Sequence, residues 1–126
     1  KMKTFMFRPC YNEDKTLVTN GVNLIKMEYI PAGLMLIKRE VIEKMIADNP
    51  HRYFKPKDPN APDGHALFNT ELYEGEFWGE DFVFCRLVRE SGFDIWVDPV
   101  IQFDHDGNIA MLAEVITNQK PEEAKE

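Results

Sequence analysis

Two short stretches carry the residues whose types and spacing could do chemistry. The first is Trp78-Gly79-Glu80-Asp81, an aromatic ring and a permissive glycine in front of paired carboxylates. A carboxylate held beside a hydroxyl can take its proton, which needs only hydrogen-bond reach and a suitable pKa. A tryptophan beside it offers a flat apolar surface for a sugar ring, and the glycine lets a ligand come close to the backbone. The second is Asp104-His105-Asp106-Gly107-Asn108, with three oxygen or nitrogen donors in succession. Such a set can hold a hard or borderline divalent cation. Each stretch also has a plainer explanation. Acidic residues in the first turn of a helix are stabilised by the macrodipole and the unpaired N–H groups there. Asp104 to Asn108 can equally be a polar turn closed by Gly107, since neither EF-hand spacing nor a second cluster of zinc ligands is spelled.

Both stretches lie within residues 77–108, and the elements between them must position them. The apolar stripe Phe82, Cys85 and Val88, with Phe84 and Leu87 beside it, predicts a helix from about residue 80 to 91. Gly92 can take the left-handed conformation that ends it. Phe93, Ile95 and Val97 alternate against Asp94, Trp96 and Asp98, a strand pattern. Pro99 breaks that strand, and residues 100–103 read as another short one. Upstream, residues 3–8 read as a short strand, and Asn20-Gly21 could close a hairpin with the residues after it. Residues 23–30 alternate as a strand, which Pro31-Ala32-Gly33 interrupts and Leu34 to Ile37 continue. Residues 38–48 carry a helical stripe of Val41, Ile42, Met45 and Ile46, with Glu40 and Lys44 paired opposite; Asn49-Pro50 ends it. Residues 51–76, with three prolines and Gly64, read as a long irregular segment in which residues 67–73 form a short strand. His51 and His65 fall in this segment and read as solvated. Residues 108–117 have helical spacing, and residues 119–126 form a charged tail.

Composition narrows the class. At 126 residues, with 44% apolar and 12% aromatic side chains, the chain is expected to be one domain over 1–118 with a real core. A net charge of −7 argues against nucleic acid, whose phosphates need a basic stripe. No run approaches the roughly 18 to 20 apolar residues of a membrane span. Two distant cysteines spell no disulfide framework; Cys85 reads as core, and Cys10 receives no role. The expectation is a soluble, cytoplasmic protein.

Taken in order, these pieces resemble the C-terminal, acceptor-side half of GT-A-fold glycosyltransferases of a family-two-like kind. The resemblance covers roughly residues 24–108. It rests on Ala32 to Met45, on Phe68-Asn69-Thr70 in a variable loop, and on Trp78-Gly79-Glu80-Asp81 followed by Phe84-Cys85-Arg86. Gly92, Ile95 to Pro99 and His105-Asp106-Gly107 complete it. It implies an α/β chain with a partial GT-A-like (nucleotide-diphospho-sugar transferase) fold, a small mixed sheet flanked by helices. It further implies metal-dependent transfer of a sugar from a nucleotide-sugar donor to an acceptor hydroxyl. Asp81 would be the general base and Glu80 its support, Trp78 and Gly79 would line the acceptor pocket, and His105 would be a ligand of Mn2+ or Mg2+. The family's donor-binding half, with an Asp-x-Asp ahead of the Glu-Asp pair, has no counterpart here. About 30 residues precede Ala32, and Asp104-His105-Asp106 comes after the pair. Three expectations result: a piece of a longer enzyme, a module completed by a partner chain, or a non-catalytic binding or assembly module. Loss of the packing half would also expose apolar surface around residues 23–37, for which a homodimer is the expected remedy.

Overall fold

The computed structural model describes residues 7–101. These are mixed α/β, with two α-helices and small sheets. The strands are β1 (Arg8–Pro9), β2 (Ile25–Tyr29), β3 (Tyr53–Phe54), β4 (Gly64–His65), β5 (Glu71–Tyr73), β6 (Glu76–Trp78) and β7 (Ile95–Val97). The helices are α1 (Arg39–Asp48) and α2 (Glu80–Glu90). One sheet has the order β1-β2-β7, while β3-β4 and β5-β6 are separate antiparallel pairs. The described residues divide into two compact units, 7–8 with Met27–Ile95 and Pro9–Lys26 with 96–101.

In the first unit, the alternation in β2 buries Met27 and Tyr29, and the helical stripes bury Val41 and Met45 on α1. Helix α2 contributes Val83, Phe84, Cys85, Leu87 and Val88, and Leu67 and Ile95 complete the core. Phe84 also stacks on Phe68, with ring centroids 4.0 Å apart and planes 7° from parallel. Both helices end as their sequences predict. Asn49 Nδ2 donates to the Met45 carbonyl at 2.8 Å, and Pro50 then opens a short 3-10 turn. At the end of α2, Gly92 has φ +88°; its N–H reaches the Arg89 carbonyl and that of Phe93 the Val88 carbonyl. That pair of bonds is a Schellman motif, which favours glycine at its left-handed position.

In the second unit, residues 18–26 reverse direction around Asn20-Gly21, as the sequence predicts. The Asn20 N–H donates to the Leu24 carbonyl and the Lys26 N–H to that of Val18. The Asn20 side-chain oxygen accepts from the N–H groups of Val22 and Leu24, both at 3.1 Å.

Four expectations are corrected. Leu34 to Ile37 form no strand: Met35 and Ile37 are half-buried while Leu34 is 66% exposed and Leu36 fully so, but the alternating segment pairs with no neighbouring strand among the described residues. Lys44 pairs with Asp48 rather than Glu40, and Arg39 takes Glu43 at 2.7 Å. Residues 51–76 are not one irregular loop, because they contain the β3-β4 pair and β5. Val100 and Ile101 lie outside any strand; residues 102–103, the 108–117 helix and the charged tail fall outside the described residues.

Candidate functional site

Trp78, Gly79, Glu80 and Asp81 sit where a hairpin becomes a helix. Strands β5 and β6 pair with Glu71 opposite Trp78, Leu72 opposite Phe77 and Tyr73 opposite Glu76. The two linking residues, Glu74 and Gly75, have φ of 50° and 82°. Positive φ at both positions matches the right-handed twist of a tight hairpin. Trp78 closes β6, Gly79 is the N-cap of α2, and the carboxylates occupy the first turn. No side chain caps this end of the helix, so the partial positive charge of its N–H groups faces Glu80 and Asp81. Glu80 is exposed and Asp81 half-buried.

Trp78 is one ring of an aromatic cluster. It meets Tyr29 edge-on at 5.4 Å, Tyr73 at 5.5 Å and Phe82 at 6.2 Å, and Tyr29 lies 5.0 Å from Phe82. Two arginines from successive turns of α2 frame the cluster. The Arg86 guanidinium lies 4.1 Å from the Tyr73 ring centre, and Arg89 lies 4.7 Å from that of Tyr29. Arg89 also donates to the Tyr29 hydroxyl at 2.7 Å. Burial pushes the Tyr29 phenol up from its ordinary value, outweighing the pull of Arg89, so the hydroxyl is neutral and accepts that bond. Tyr29, Tyr73, Arg86, Arg89 and Glu90 line an open cleft of about 290 Å³.

Arg86, which lines the cleft, is also the buried member of an ion triad with the half-buried Glu71 and Arg52. One Glu71 carboxylate oxygen accepts from Arg52, and the other accepts from Arg86 at 2.5 Å. Arg52 additionally donates to the Ala66 carbonyl at 3.1 Å, and Arg86 Nε approaches Glu90 at 3.8 Å. Burial pushes the Glu71 carboxyl up, but the hydrogen bonds and charges of Arg52 and Arg86 hold it below its ordinary value of 4.5.

Cys85 is core, as the sequence predicts. It is fully buried, and its sulfur bridges the N–H and carbonyl of Ile30, each at 3.5 Å. Burial raises its pKa, and the nearby Asp81 charge adds to this, so the thiol stays protonated. His51 is exposed in the 3-10 turn, and His65 meets the Tyr53 ring at 5.5 Å. His105, with Asp104 and Asp106, lies outside the described residues. Among the described residues no three His, Cys, Asp or Glu side chains are grouped to hold a metal ion. Nor is any helix of the described residues long and apolar enough to cross a membrane.

Sequence reasoning reached Trp78 to Asp81 but missed Tyr29, Arg52, Glu71, Tyr73 and Arg89 as neighbours of that site. Two signals were present: Arg86 interrupts an otherwise apolar run, Phe82 to Val88, and LYEGEFW has a two-residue loop between alternating stretches. Set against protein-family models, curated proteins and solved structures, the chain matches none of them.

Proposed function

We propose that this chain is the acceptor-side part of a GT-A-like glycosyltransferase, with Asp81 as general base. The observation that carries the reading is the junction itself: a half-buried aspartate in the first turn of α2, three residues after a tryptophan held among three other rings. In the proposed step an acceptor hydroxyl gives its proton to Asp81. Its oxygen forms the new bond to the anomeric carbon as the bond to the diphosphate breaks, and the nucleoside diphosphate departs. Trp78 would carry the apolar face of the acceptor, and Glu80 would keep the local field negative. The donor nucleotide-sugar and the Mn2+ or Mg2+ that the family uses belong with a donor-binding half that these 126 residues do not spell. His105 would supply that cation with one ligand.

The test is Asp81→Asn in the whole native protein, assayed for transfer from nucleotide-sugars. General-base catalysis contributes about 10²- to 10⁴-fold, and a loss of that size with the fold intact is expected. Retained turnover would remove Asp81 as the base.

A second reading, a non-catalytic binding or assembly module derived from such an enzyme, is favoured by a different observation. Leu34, Leu36, Leu72 and Phe77 are between 66% and fully exposed, apolar side chains that such a module would present to a partner. It predicts self-association with no transfer in any native form of the protein.

A further inference from the structure

We propose that Glu71 is a positioning residue that latches the Trp78 platform onto the helix bearing Asp81. The inference rests on reading Trp78 and Asp81 as an acceptor site. Glu71 is attached to this site twice. Its backbone pairs with Trp78 across the hairpin, and its carboxylate binds Arg86, one and a half turns beyond Asp81 on the same rigid helix. The third member, Arg52, brings in the segment that comes after α1.

The hairpin has little else to hold it. A two-stranded hairpin is marginal by itself in water. Its two faces differ sharply: Leu72 and Phe77 point outward, 80% and 73% exposed, and contribute no packing. Among the described residues, what fixes it comes chiefly from the opposite face, through Glu71, Tyr73 and Trp78. These three act in series. The Glu71 carboxylate holds the Arg86 guanidinium, that guanidinium lies over Tyr73, and Tyr73 meets the edge of Trp78. Without the carboxylate, Arg86, only 8% exposed, would keep as counter-charge only the more exposed Glu90, 3.8 Å from its Nε, and would be drawn toward it and away from Tyr73. Tyr73 would lose its cover, and Trp78 one of its three ring partners.

The experiment uses a Trp96→Phe background, in which Trp78 is the sole tryptophan, and reads its emission and its quenching by acrylamide. Glu71→Ala is expected to shift Trp78 emission to the red and to raise its quenching, with helical circular dichroism retained. Glu71→Gln, which keeps the shape and one hydrogen bond, should fall between. If Glu71→Ala fails to fold, the Glu71→Gln comparison decides. Quenching that stays at the parent level, even with lowered stability, overturns the latch and leaves an ion triad that only stabilises. In the whole native protein, Glu71→Gln should raise KM for acceptor more than it lowers kcat. These readouts separate the two ideas. A loosened Trp78 in a protein shown to lack transferase activity sinks the catalytic reading and supports the latch, whereas an inactive Asp81→Asn with an unmoved Trp78 does the reverse.

Discussion

Leu36 and Arg86 occupy the opposite of their usual places. The leucine, in the segment after β2, is fully exposed, and the arginine, in the middle of α2, is 8% exposed. Intrinsic hydropathy favours the reverse arrangement. Arg86 can be buried because Glu71 supplies its counter-charge and Tyr73 a π-face for its guanidinium. Leu36 is exposed because the segment turns Met35 and Ile37 inward, which leaves Leu36 on the outer side with no neighbour to cover it among the described residues. A partner in space, rather than residue type, decided burial in both regions. The comparison also separates a region held by charge and ring contacts from one that presents exposed apolar side chains.

The largest expected effect breaks the first half of that comparison. Arg86→Ala removes one of the two counter-charges of Glu71 and the guanidinium over Tyr73 while Arg52 stays on the carboxylate, so it should cost about 1–3 kcal/mol in denaturant unfolding. Leu36→Ala, despite removing an aliphatic side chain, should stay within about 0.5 kcal/mol. Equal costs at the two positions would show that the exposure of Leu36 is not that of the protein in solution.

A smaller effect comes from the triad's titration. Because the Glu71 carboxyl is held below its ordinary 4.5, its contribution is fully present above that pH and is lost as pH falls through the lower, folded-state value. The stability difference between wild type and Glu71→Gln should therefore be widest near neutrality and shrink below about pH 4.5. A difference that grows on acidification would assign the acid sensitivity to another group.

The smallest effect on stability concerns the exposed face. Leu34→Ser with Leu36→Ser should leave the unfolding midpoint nearly unchanged while weakening self-association measured by sedimentation. A wild-type chain that stays monomeric at high concentration would count against an unfilled interface at these leucines.

Much of the first unit was legible in the sequence because local periodicity and local punctuation agree there. The stripes of α1 and α2, the alternation in β2, and the stops at Asn49-Pro50 and Gly92 are each set by a few consecutive residues. Leu34 to Ile37 show where this fails. An apolar run is compatible with a strand, but a strand also needs a neighbour for its hydrogen bonds, and composition cannot supply one. Lys44 makes the same point on a smaller scale, since Glu40 and Asp48 are both one turn away and only the folded helix selects Asp48.

The candidate site divides in the same way. The sequence by itself determined that an aromatic residue, a glycine and two carboxylates arrive together at the start of a helix, because their proximity is a matter of chain continuity. Only the tertiary structure decided what surrounds them. Tyr29 comes from a strand some fifty residues earlier, Arg52 from the turn after α1, and Glu71 from a hairpin with no strong turn signature. The physical reason is that charge pairing and ring packing act through space, over separations that spacing along the chain does not encode.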